Sequence, residues 1–549
     1  MRAFETIAFL ALALLTAAQT NVSACSSSSQ CQPFLIDLTW GLTDASNVFS
    51  RKAILINGSF PGPTLRLKFG ECVDFTILNN MPNVTGIHFH GIRQLATPWA
   101  DGVPGVSQYG VKPGENYTYQ WTAEESGIYF YHSHYKGQMM DGLYGPIIIS
   151  PADNATRPFS LISNNSVDIQ QMREAEAEVE TILTSDWNRF TFNEFWEIQK
   201  SANIDDTCTD SFILNGKGSQ YCLSIAELTA NEAEQVPQIL GSASLTAKGC
   251  LPANNTIAQG DYTRNLTALP PTAYDVCTPY TGKNLTYEVD PANGWAAISF
   301  ISPSAFSLFK VTIDGHKLYV YEINGNYIEP QTVDQISVAN GDRISCLIKL
   351  DQTPADYTIR VASTADATFL LDIEKAPEES LAWAWVLNGE TPYNESHDDD
   401  VPPLLYQLPS EIPDSDLILR TQYNQWVDLI IKVAGPLAQP HPVHKHANKF
   451  YVIGSGVGDF NYSTVAEAQA AGVEFNLDNP PYVDGYTSTP AEEEGAWVVL
   501  RYQANTPGAW LLHCHIQTHL SGGMAVAILD AVDQFPAVPF LKFDFIFNF

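Results

Sequence analysis

Nearly all of the twelve histidines of this 549-residue chain lie in four short clusters. These are His88-Phe89-His90, His132-Ser133-His134, His441-Pro442-Val443-His444-Lys445-His446 and His513-Cys514-His515-Ile516-Gln517-Thr518-His519; only His316 and His397 fall outside them and read as surface residues. Each cluster holds one His-x-His pair. On an extended chain, residues i and i+2 point to the same side, so each pair presents two imidazoles to one place. Imidazole is the commonest metal ligand, and four pairs exceed what one ion takes, so a metal cluster is implied. His441, Cys514 and His519 remain. Two imidazoles and a thiolate make the trigonal set of a blue-copper electron-transfer site, whose weak axial ligand would be Met524 in Gly522-Gly523-Met524; otherwise Met524 is a core side chain. If His513 and His515 face the cluster, alternation turns Cys514 the other way, and only a few covalent bonds separate the two sites. Zinc is the rival metal, but a cluster wired to a His₂Cys set has no evident zinc chemistry.

Such pairs need strands to hold them. Ile54-Leu55-Ile56-Asn57-Gly58, Cys72 to Leu78, Lys317-Leu318-Tyr319-Val320-Tyr321 and Tyr357 to Val361 read as sandwich strands bounded by turn residues. The sequence predicts an all-β chain, with Arg173 to Glu180 a short helix or an acidic loop. A length of 549 residues exceeds one ordinary core. The expected division is a signal peptide at 1–18, from Arg2 and the apolar run Ile7 to Leu15, then domains at 33–152, 153–375 and 376–549. The histidine motifs occur in the first and third of these.

No later apolar run reaches the ~18 residues of a membrane span, and the apolar Phe540–Phe549 tail is expected to pack on the body. A net charge of −33 argues against nucleic acid and anionic membrane as partners. Sequons begin at Asn21, Asn57, Asn83, Asn116, Asn154, Asn164, Asn254, Asn265, Asn284, Asn394 and Asn461, as in an extracellular glycoprotein. Of nine cysteines, Cys25, Cys31, Cys72, Cys208, Cys222, Cys250, Cys277 and Cys346 are available for disulfides, which leaves Cys514 alone.

In order and spacing, the four clusters resemble the copper motifs of the multicopper oxidases, a family that includes laccases, ascorbate oxidases and ferroxidases. Asn57-Gly58-Ser59-Phe60-Pro61-Gly62-Pro63 and Tyr131 to Tyr135 match family patterns too, and the resemblance runs nearly the whole chain. It implies three cupredoxin-like Greek-key β-sandwich domains and four copper ions. His441, Cys514 and His519 would hold type 1 copper with Met524 axial; His88 and His444, type 2; His90, His132, His134, His446, His513 and His515, the type 3 pair. The sequence departs from the family at Val443 and Lys445, where large apolar residues are usual. It departs also at Ala447, usually Gly, and at Gln517, where many relatives carry an acid.

The resemblance further implies a secreted, fungal laccase-like enzyme oxidising phenols, including pigment or secondary-metabolite precursors, one electron at a time while reducing O₂ to water. Electrons would pass through Cys514, His513 and His515. Asp101 would serve proton delivery, or else only a turn. Asp186 would offer a carboxylate to the reductant beside His519 or His441, or else simply end a strand. Ferroxidase, ascorbate oxidase and a non-enzymatic copper carrier are the alternatives.

Overall fold

The computed structural model describes residues 31–43, 51–205, 208–230, 236–255, 262–363, 381–389, 391–400, 402–433, 440–489 and 495–538. The expected signal peptide, Cys25, Asn21 and the C-terminal apolar tail lie outside the described residues.

The strands follow period-two patterning where one face is only half-covered: Cys72–Asn79 alternates half-buried and buried positions along its whole length. They fall into three successive sets, each of two sheets. The first set comprises β1 (Gln32–Thr43), β2 (Arg51–Ile56), β3 (Leu65–Lys68), β4 (Cys72–Asn79), β5 (Ile87–His90), β6 (Asn116–Thr122), β7 (Gly127–Ser133) and β8 (Tyr144–Ser150). Its sheets run β2-β1-β4-β6 and β3-β8-β7-β5. Phe75, Phe89, Tyr119, Trp121 and Tyr131 fill the space between them.

The second set holds β9 (Glu180–Trp187), β10 (Ser211–Leu214), β11 (Trp295–Ile301), β12 (Phe309–Ile313), β13 (Leu318–Ile323), β14 (Asn326–Val333), β15 (Ile336–Val338), β16 (Arg343–Lys349) and β17 (Ile359–Ser363), in sheets β10-β9-β11-β16-β13-β14 and β15-β12-β17. The third holds β18 (Ile418–Arg420), β19 (Trp426–Val433), β20 (Pro442–Lys445), β21 (Phe450–Val457), β22 (Tyr482–Val483), β23 (Gly485–Thr487), β24 (Ala496–Gln503), β25 (Gly508–Cys514) and β26 (Ala525–Asp530), in sheets β18-β26-β25-β20-β23 and β19-β24-β21-β22. The architecture is all-β, as expected. Of the two readings of the 173–180 stretch, the helix holds: Ser166–Ala177 is helical, capped by the Asn165 side chain on Val167 N, and leads through Glu178 and Val179 into β9.

Disulfides join Cys31 to Cys72, Cys208 to Cys250 and Cys222 to Cys277. Cys346 corrects the expectation that it joins one. It points into the apolar interior of the second set beside Ile298 and Val320, unbonded to another cysteine. Burial pushes its thiol up to about 12. No described helix is long and apolar enough to cross a membrane.

Candidate metal centre

Each His-x-His pair sits on or just past a strand end. His88 and His90 lie on β5, His132 and His134 straddle the end of β7, His444 and His446 that of β20, and His513 and His515 that of β25. Strand register then sets the rings side by side: His88 pairs with His132 in the first set and His444 with His513 in the third. The two groups meet face to face. Ring centroids of His88 and His446 are 3.9 Å apart, and those of His90 and His444 3.8 Å. The Nε2 atoms of His134 and His446 each lie 3.3 Å from that of His513, and His515 Nε2 lies 3.3 Å from His90 Nδ1. All eight rings are buried.

The outward nitrogens are tied down. Nδ1–H of His88 donates to the Asp101 carbonyl (2.8 Å), that of His132 to Ser133 (2.9 Å), that of His444 to Asp484 (2.8 Å) and that of His513 to Cys514 (2.8 Å). His446 Nδ1–H donates to the Asp101 carboxylate at 2.9 Å. A carbonyl only accepts, so each ring is held as the tautomer whose Nε2 lone pair faces the cluster. Burial, reinforced by neighbouring rings, holds His90, His132, His134, His444, His446 and His515 well below the usual imidazole range. Burial likewise pushes His513 down to about 4. These seven rings are therefore neutral ligands at ordinary pH. Nε2 of His88, His132 and His444 is buried without a hydrogen-bond partner. A convergent set of orphaned acceptors is costly in a folded protein and is what a metal cluster would satisfy. His90, His132 and His88, His88, His444 and His446, and His134, His446 and His513 each converge closely enough to hold an ion.

On the far side of β25, Cys514 Sγ lies 3.4 Å from His441 Nδ1 and 3.8 Å from His519 Nδ1, and those two nitrogens are 3.2 Å apart. The alternation expected of His513-Cys514-His515 is thus present. Met524, fully buried, packs in one apolar cluster with Cys514, Trp385 and Ile516; its amide donates to the His519 carbonyl at 2.8 Å. The Trp385 ring lies 4.6 Å from that of His519 and 5.8 Å from that of His441. Burial holds the Cys514 thiol well above its usual range, so a metal must displace its proton.

Asp101 is fully buried against His88 and His446. Asp186 is the penultimate residue of β9, as its strand-end reading has it. Its carboxylate is buried and accepts from Ser304 Oγ (2.7 Å) and from the amides of Ala305 (2.9 Å), Phe306 (2.8 Å) and Ser307 (2.8 Å). Four donors occupy it, so it shapes the loop that packs Phe306 against the Cys514 cluster instead of facing a reductant. Lys445 faces away from the imidazoles, but into the protein. Its Nζ donates to Asp530 Oδ2 at 2.8 Å. Gln517 lines a narrow cavity with His132, His134, His513 and His515. Sequence reasoning missed Asp484 and Arg343. Asp484-Gly485 reads as a turn, and the one available signal was an arginine opening the otherwise uncharged run Ile344 to Ile348.

A thiolate site joined by one strand to a nest of imidazoles defines a copper electron-transfer oxidase. Models of the multicopper oxidase family match residues 38–154, 178–374 and 390–534. The chain is 41% identical to multicopper oxidase elcG of Phaeosphaeria nodorum, over 92% of this chain and 91% of that one. It is 36% identical to laccase abr2 of Aspergillus fumigatus, over 92% and 95%. Among solved structures, the laccase from Botrytis aclada superposes with a TM-score of 0.63 at 20% identity, covering 92% of this chain and 89% of that one. Fet3p, a multicopper oxidase of iron import, superposes with 0.57 at 20% identity, covering 92% and 91%. The chain belongs to the multicopper oxidase family. It is a laccase-like copper oxidoreductase that uses O₂, built of cupredoxin-like β-sandwiches, and the family's cofactor is four copper ions.

Proposed function

We propose that this is a secreted, glycosylated enzyme, divided at 33–152, 153–375 and 376–549, that oxidises phenols by single electrons and passes four of them to O₂. Precursors of pigments or secondary metabolites fit that chemistry. His441, Cys514, His519 and axial Met524 would hold type 1 copper; His88 and His444, type 2; His90, His132, His134, His446, His513 and His515, the type 3 pair. The carrying observation is that Cys514 belongs to one site while its sequence neighbours belong to the other. When bound, copper supplies the one-electron steps and the four-electron reduction of O₂ to water.

The chain's own part is positioning. The reductant would meet the imidazole edge of His519 or His441, against which Trp385 packs. Cys514 and its peptide bonds to His513 and His515 make the path between sites. Asp101 holds the Nδ1 proton of His446 and keeps a carboxylate at the cluster. Gln517, uncharged, lines the narrow cavity leading to the rings.

Oxygen uptake by the purified holoenzyme with a naphthol, ascorbate or Fe²⁺ as reductant tests this reading. A preference for the naphthol is expected. Preference for Fe²⁺ or ascorbate would replace it with a ferroxidase or an ascorbate oxidase, and no uptake with any of them with a copper carrier.

A further inference from the structure

Among the described residues the second set of sheets supplies no imidazole to the cluster, yet it reaches the cluster through Arg343. Arg343, the first residue of β16, is completely buried. Its Nη1 and Nη2 donate to Asp484 Oδ1 and Oδ2 at 2.7 and 2.6 Å. Nη1 also donates to the Gly341 carbonyl at 3.0 Å, and Nε to the Ile128 carbonyl of β7 at 3.2 Å. One guanidinium thereby ties together all three sets of sheets.

Asp484 is what it holds, and Asp484 touches the cluster twice. Its carbonyl accepts the His444 Nδ1 proton at 2.8 Å, and its Oδ1 lies 3.5 Å from His90 Nε2. Space around the pair is closed. A Cβ on Gly91, whose φ is +88°, would lie 2.6 Å from Arg343 Nη2 and 2.9 Å from Asp484 Oδ2. A Cβ on Gly341 would lie 3.0 Å from both His90 and His515.

Stability alone is a poor reason for this arrangement, because apolar residues of similar volume commonly replace a buried ion pair at no loss. Geometry is a better one. Only a planar fork grips both oxygens of a carboxylate while its third nitrogen bonds elsewhere. We propose that Arg343 is a positioning residue for the imidazole cluster: through Asp484 it sets the orientation of His444 and the distance to His90. The proposal rests on the assignment of His444 to type 2 copper.

The test uses copper-loaded protein and the variants Asp484→Asn, Arg343→Lys, Arg343→Met and the double variant Arg343→Met/Asp484→Leu. Copper content and the type 2 paramagnetic signal report the cluster; the visible thiolate–copper band reports the Cys514 site, and its absence from the unmutated protein would defeat the ligand assignment itself. Asp484→Asn, nearly isosteric, and Arg343→Met are expected to keep that band and hold type 2 copper about 10–100-fold more weakly. Arg343→Lys is expected to recover part of that loss. The double variant is expected to regain thermal stability without regaining type 2 copper. Unchanged type 2 signals in the single variants would overturn the proposal. So would a double variant that regains both, or single variants that lose the visible band as well, since the pair would then serve the fold alone.

Discussion

Replacing Asp101 by Asn removes one charge from beneath the imidazole cluster while leaving the backbone in place. The Asp101 carbonyl, which accepts the His88 Nδ1 proton at 2.8 Å, survives the change. What is lost is the carboxylate that accepts from His446 Nδ1 at 2.9 Å and lies 3.2 Å from His88 Nδ1. A buried hydrogen bond to a charged group contributes about 1.5–3 kcal/mol, or roughly 10–150-fold. The Asn amide oxygen still accepts one ring proton, but its NH₂ must then face the other N–H. The expectation is a kcat about 10–100-fold lower at full copper content, in line with losses at groups that orient metal ligands. Oxygen uptake with a naphthol measures it, with copper content and the visible band recorded in parallel. The band must stay, because Asp101 does not touch the Cys514 site. An Asp101→Asn enzyme with full activity, or one that loses the band, would refute the reasoning.

Ala447 sits at φ +61°, a conformation that costs a residue with a Cβ about 1–2 kcal/mol. After the entropy Gly loses on folding, Ala447→Gly is expected to stabilise the protein by about 0.5–1 kcal/mol, read as a higher Tm. Buried Glu322 accepts from Ile128 N at 3.0 Å and Ser345 Oγ at 3.2 Å, and desolvation pushes it from 4.5 up to about 7. Between those values the folded chain keeps a proton that the unfolded chain releases. Its contribution to stability is therefore complete below 4.5 and is lost as pH rises through 7, a difference of ~3 kcal/mol. Tm measured from pH 5 to 8 should fall less steeply in Glu322→Gln than in the unmutated protein; parallel curves would contradict this.

The ligands were legible because their signal is local: two histidines one residue apart on a strand share a face whatever the rest of the chain does. The opposite orientation of Cys514 follows from the same parity. Partners brought together by tertiary structure were not legible. Arg343 and Asp484 lie in different sheet sets, and each reads alone as a strand start or a turn. Asp186 was legible as a strand end, but the 304–307 loop wrapped on its carboxylate was not, because only the folded chain brings the two together. Lys445 faces away from the cluster by the same parity; its burial against Asp530 and Tyr502 depends on β24 and β26 and was not legible. Cys346 failed as a disulfide residue because the apolar interior of its sandwich brings it no bonded cysteine.

Cys514→Ser is the most direct trial of the whole account. A hydroxyl keeps the shape of the side chain but cannot supply the thiolate that joins the two sites. The visible band should vanish and O₂ uptake with a naphthol should cease, while the type 2 paramagnetic signal persists. Undiminished O₂ uptake by that variant would contradict the claim that electrons reach the imidazole cluster through this residue.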